Sequence, residues 1–90
     1  MAAENLPELF HAIADAPSAT ARKLVISLGL EGKVRFRNAV YPEVQADLSA
    51  RGGTLLPALW DGVALHQGLE QVDRELRALL GRGDGSGGAA

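Results

Sequence analysis

Two stretches of the chain carry the period of an amphipathic helix. Ala21, Leu24, Val25 and Leu28 fall on one face of a helix that ends at Gly29 or Gly32, and Leu69, Val72, Leu76 and Leu79 repeat the pattern near the C-terminus. From Lys33 to Val40 the period changes to two. Val34 and Phe36 alternate with Lys33, Arg35 and Arg37, as a half-buried strand requires. A third pattern follows Gly52-Gly53, where Leu55-Leu56-Pro57 leads into Ala58-Leu59-Trp60, then Asp61-Gly62, then Val63-Ala64-Leu65. Asp-Gly supplies positive φ at both centres of a type I′ turn, so this segment predicts a tight hairpin with Val63–Leu65 returning on Ala58–Trp60.

The stretch from Leu6 to Ala14 is two-sided. Leu6, Leu9, Phe10 and Ile13 fit a helix opened by Asn5, yet a run this short and apolar on both faces also fits a central strand covered on both sides. The strand reading, Glu8 to Ala14, is the one the later elements need. Asp15-Ala16-Pro17-Ser18 then starts a helix, with Asp15 or Ser18 as cap and Pro17 in the first turn. Pro42 and Glu43 open a short helix with Val44 and Leu48 inward, closed by Arg51 and Gly52. The resulting order is β-α-β-α-β-β-α. An α/β fold is expected, with a mixed four-stranded sheet and helices on both faces, over residues 1–80. Residues 81–90, almost all Gly, Ala and Ser, are expected to form a disordered tail.

Charge and composition narrow the chemistry. A formal charge of −2 with one Trp, one Tyr and two Phe provides neither the field nor the stacking surface for nucleic acid. No apolar run approaches the roughly 20 residues that span a bilayer, and the first residues lack the basic and apolar regions of a secretory leader. A soluble cytoplasmic protein is expected. The chain has no cysteine, which removes disulfides, thiolate metal sites and thiol redox chemistry. Two histidines, His11 and His66, make a poor zinc set without thiolates, and nothing in the spacing places a carboxylate beside either, so neither a metal site nor a catalytic triad is expected.

From Leu6 to Leu80 the chain resembles the thioredoxin-like superfamily, in its glutaredoxin and glutathione-transferase N-terminal branch. The likeness rests on the element order, on the hairpin, on Ala16-Pro17-Ser18-Ala19 where glutaredoxins carry Cys-Pro-x-Cys, and on Thr54-Leu55-Leu56-Pro57 where they carry Thr-Val-Pro. The resemblance implies a cis Leu56–Pro57 peptide whose preceding residue offers its backbone to a ligand. It also implies a groove lined by Ala16, Pro17, Ser18, Leu55, Leu56, Pro57, Gly68 and Leu69. The family's Gln/Glu-Ser before the last helix is Gln67-Gly68 here; the hydroxyl is missing, although the backbone N–H groups of Gly68 and Leu69 could bind an anion. A weaker resemblance links Asp15-Ala16-Pro17 to the turn after the first strand in KaiB-like clock proteins, which are cysteine-free and dock other proteins.

Taken together, these features lead to the expectation of a non-catalytic, redox-inactive module that binds a partner protein through this groove, with no cofactor. The alternative is a glutathione-binding or transferase-like protein in which Ser18 or Thr20 replaces the cysteine, although Ser at a helix start commonly serves as a cap. A third surface is the cationic row Lys33, Arg35 and Arg37, which suits an acidic partner or simply protects an edge strand.

Overall fold

The computed structural model describes residues 6–84. In chain order it contains β1 (Glu8–His11), α1 (Ala16–Ser27), β2 (Arg35–Asn38), α2 (Pro42–Ala50), β3 (Ala58–Trp60), β4 (Leu65–Gln67) and α3 (Leu69–Asp84). The strands form one mixed sheet in the order β2-β1-β3-β4, with β1 parallel to β2 and the other pairs antiparallel. The fold is thus α/β, with a four-stranded mixed sheet and three helices.

The ambiguous N-terminal run is a strand at the centre of the sheet, as expected, and its neighbours show why. Leu9 and Phe10 are both fully buried, yet they belong to separate apolar clusters. Adjacent residues point to opposite faces only in extended backbone. The strand is shorter than the expected Glu8–Ala14. It stops at His11 because the carbonyl of Ala12 accepts from Asp15 N–H at 3.2 Å and from the Arg22 guanidinium at 3.1 Å, which turns the chain out of the sheet and into α1. The Lys33–Val40 strand contracts likewise to Arg35–Asn38, with the Asn38 side chain accepting from Val40 N–H at its end.

The hairpin differs from the expected type I′ turn. Trp60 pairs with Leu65, Leu59 with His66 and Ala58 with Gln67, so Asp61 to Ala64 are all loop. One oxygen of Asp61 accepts from both Val63 N–H and Ala64 N–H at 2.8 Å, while Asp61 N–H donates to Ala64 O at 3.1 Å. This side-chain turn keeps Asp61 at negative φ, and only Gly62 takes positive φ. The Leu56–Pro57 peptide ahead of β3 is cis.

Helices α1 and α2 close in the same way. Gly29 and Gly52 adopt φ of 71° and 82°, and the N–H of the next residue returns to the carbonyl of Val25 or Leu48 respectively. That is the Schellman arrangement, which needs a residue without Cβ strain at the left-handed position. Helix α3 continues to Asp84, beyond the Leu80 at which composition ends it. Positions 85–90 of the expected tail lie outside the described residues.

Two apolar clusters sandwich the sheet. Leu9, Val34 and Leu59 meet Ala21 and Val25 of α1 and Val72 and Leu76 of α3 on one face. On the other, Phe10 and Ala58 meet Val44 and Leu48 of α2. Helix α2 is too short to cover that face alone. The Arg37 guanidinium lies 5.4 Å from the Phe10 ring centre and that of Arg51 lies 4.7 Å from the ring centre of Trp60. Both arginines bond the single carboxylate of Glu8, and Arg37 also reaches Asp47 at 2.6 Å.

Candidate functional site

The path of the chain determines where an opening forms. After β1 the chain crosses into α1 on one face; after the parallel neighbour β2 it crosses into α2 on the other. The two connections diverge, leaving a crevice at the carboxyl ends of these strands, the place where open α/β sheets bind ligands. A cleft of about 660 Å³ lies there. Its walls are Ala12–Ala14 after β1, Asn38–Val40 after β2, one side of α2, and residues 53–56 ahead of β3.

Its chemistry is apolar and neutral. None of the lining residues carries a charge. Ile13, Val40 and Leu55 are more than half exposed in or beside it, at 64%, 66% and 53%. The surrounding backbone is held by side chains: Gln67 Oε1 accepts from Thr54 N–H at 2.8 Å and Leu55 N–H at 3.1 Å, and Gln45 donates to Ala39 O at 2.7 Å. Leu56 lies outside the strands, and its N–H and C=O make no turn, loop or cap hydrogen bond among the described residues. Gly53 forms the floor against α2, where a Cβ would stand 2.6 Å from Leu48 Cγ and 3.0 Å from the Leu48 carbonyl oxygen. A larger residue at this position requires the Leu48 side chain to shift.

The residues expected to share one groove are divided. Leu55 and Leu56 line the cleft. Pro57 is fully buried and Ala16 and Pro17 are exposed at the start of α1, all three outside the lining. Ser18 is completely buried; its hydroxyl donates to Asp15 Oδ2 at 2.7 Å and its N–H donates to the same oxygen at 2.9 Å. Asp15 is therefore the cap, and Ser18 braces it. Thr20 is exposed and donates back to Ala16 O at 3.3 Å. The anion site proposed at Gly68 and Leu69 loses its first donor, because Gly68 N–H donates to Pro57 O at 2.8 Å. Half-buried Leu69 packs against the α1/α3 cluster.

The cationic row also divides. Lys33 and Arg35 are exposed, but Arg37 is tied to Glu8 and Asp47 over Phe10 and is not offered to a partner. Its guanidinium holds the Asp47 carboxyl below the usual carboxylate range through the hydrogen bond between them. The alternating pattern signalled the strand correctly but not which cation a nearby carboxylate would claim.

The histidines depart furthest from expectation. His11 is buried, and burial, reinforced by the charge of Arg22, holds its pKa below the ordinary 6.5. Arg22 Nη1 lies 3.2 Å from His11 Nδ1. As guanidinium only donates, Nδ1 is the acceptor and the ring proton sits on Nε2. His66, by contrast, has carboxylates on two sides. Its Nε2 lies 2.8 Å from Asp61 Oδ2 and 3.7 Å from Glu75 Oε1. Sequence spacing hid this contact, which depends on the β3–β4 register and on which face of α3 meets the sheet.

The chain matches no protein-family model, no curated protein and no solved structure. No described helix is long and apolar enough to cross a membrane.

Proposed function

We propose that this chain is a thioredoxin-like domain without redox chemistry that acts as a non-catalytic module, binding an extended apolar segment of a partner protein in the cleft beside Leu56. The observation that carries this reading is an uncharged cleft at the divergence of the β1 and β2 connections, with exposed Ile13, Val40 and Leu55 around it. An extended segment suits such a site because its own N–H and C=O can meet the Leu56 backbone while alternate side chains enter apolar pockets. Thiol chemistry has no residue to perform it.

The glutathione reading gains no support from this site. That tripeptide carries two carboxylates and an ammonium, and the cleft offers no charged residue to any of them. The hydroxyl of Ser18 is engaged with Asp15, and the Gly68 N–H with Pro57. Selection from a displayed random-peptide library tests the proposal. Neutral apolar peptides should emerge, and Val40→Asp, at an exposed position, should weaken them about tenfold or more by placing a charge in the cleft. Peptides that bind the variant equally well would remove the cleft from the account. Saturable amide shifts at Leu56 and Gly68 on adding reduced glutathione would favour the rival.

A further inference from the structure

Three elements converge on one imidazole nitrogen away from the cleft. Asp61 comes from the β3–β4 loop, His66 from β4 and Glu75 from α3. One ligand atom from each lies within 4.8 Å of the others, and all three residues are half-buried. We infer that Asp61, His66 and Glu75 form a binding site for a divalent transition-metal ion, with Zn²⁺ as the reference occupant.

The geometry is close to what the ion needs. Ligand bonds of about 2.0–2.2 Å in a tetrahedral arrangement put donor atoms roughly 3.4 Å apart. His66 Nε2 and Glu75 Oε1 stand at 3.7 Å, and Nε2 and Asp61 Oδ2 at 2.8 Å, so small side-chain rotations reach that spacing. Asp61 is held for the purpose by its other oxygen, which accepts from Val63 N–H and Ala64 N–H and leaves Oδ2 directed at the imidazole. Such an outer contact orients a ligand before the metal arrives. Zn²⁺ binds the neutral ring, so any proton lying between Nε2 and Asp61 Oδ2 is released as the metal enters. Two carboxylates and an imidazole offer a divalent cation two anionic oxygen donors and one nitrogen donor. An imidazole donor favours zinc, nickel or copper over calcium and magnesium, whose ligands are oxygens. Three protein ligands leave a fourth position for water or another donor.

This inference is independent of the peptide cleft, whose lining contains none of the three residues. The test is titration of the untagged chain with ZnCl₂ at about pH 7.5, read by calorimetry and by the ring resonances of His66. The expected result is saturable one-to-one binding that moves the His66 ring signals and leaves those of His11 in place. His66→Gln and Glu75→Gln should each weaken it by at least about tenfold, and His11→Gln should not change it. If His66→Gln disturbs the fold, Glu75→Gln and the wild-type ring signals still decide the matter. Unmoved His66 resonances up to about 1 mM Zn²⁺, or binding that survives Glu75→Gln at full strength, would overturn the site.

Discussion

The two faces of the sheet solve the same burial problem differently. One is covered by α1 and α3, with Leu9 and Leu59 packed against Val25, Val72 and Leu76. The other has only α2, and its cover is completed by the guanidinium groups of Arg37 and Arg51 over Phe10 and Trp60, both held by Glu8. None of the cleft's lining residues comes from α1 or α3, the two helices that close the first face. A face closed by one short helix and two long side chains leaves an opening at its end, and that is where the cleft lies. The α1/α3 cluster and the cleft beside α2 are therefore built from different residues.

Truncation on the two faces should separate them most strongly. Leu76→Ala removes a fully buried side chain from the two-helix face and should cost about 2–5 kcal/mol. Val44→Ala, on the α2 face, removes less and should cost about 1–2 kcal/mol. Urea unfolding midpoints measure both, and equal losses would erase the contrast. Next in size is the charged cover. Glu8→Gln leaves two guanidinium groups over the aromatic rings without their shared carboxylate, and a loss of about 1–2 kcal/mol is expected. If Glu8→Gln is neutral in urea, Arg37 and Arg51 cover the face through their stems and not their charge.

The smallest effect is a pH dependence. His11 sits at the end of β1 with its folded pKa below 6.5, through burial and then Arg22. Below pH 6.5 the unfolded chain takes up a proton that the folded chain refuses. Its contribution to stability is therefore complete above pH 6.5 and is lost as pH falls through the lower folded value. His11→Gln should flatten the stability profile in that window, whereas an unchanged slope would assign the acid sensitivity to other groups.

What could be read from residues alone followed the range of the forces involved. Periodicity and caps act within a few residues, so α1, α2, α3 and the closure at Gly52 were legible, while the end of α1 was narrowed to Gly29 or Gly32 and falls at Gly29. The β1 strand was legible only through its neighbours, because Leu6, Leu9, Phe10 and Ile13 satisfy a helix equally well. Asp61-Gly62 indicated a turn, but the capture of two N–H groups by the Asp61 carboxylate moved the hairpin register outward. That same shift decides what His66 faces. Long-range pairing also claimed Arg37 for Glu8, distant in sequence and diagonal to it across the β1–β2 ladder, where Arg37 stands opposite Phe10. Of the expected groove, Leu55 and Leu56 reach the cleft. The start of α1 lies outside its lining, and the walls contributed by Asn38–Val40 and α2 carried no sequence signal beyond their apolar side chains.

The most direct test of the central claim is a backbone amide map of the chain with a selected apolar peptide bound. Shifts are expected at Ile13, Ala39, Val40, Leu55 and Leu56, with Val25, Val72 and Leu76 on the α1/α3 face unmoved. Shifts confined to the α1/α3 face, or to Lys33 and Arg35 and abolished by salt, would contradict it.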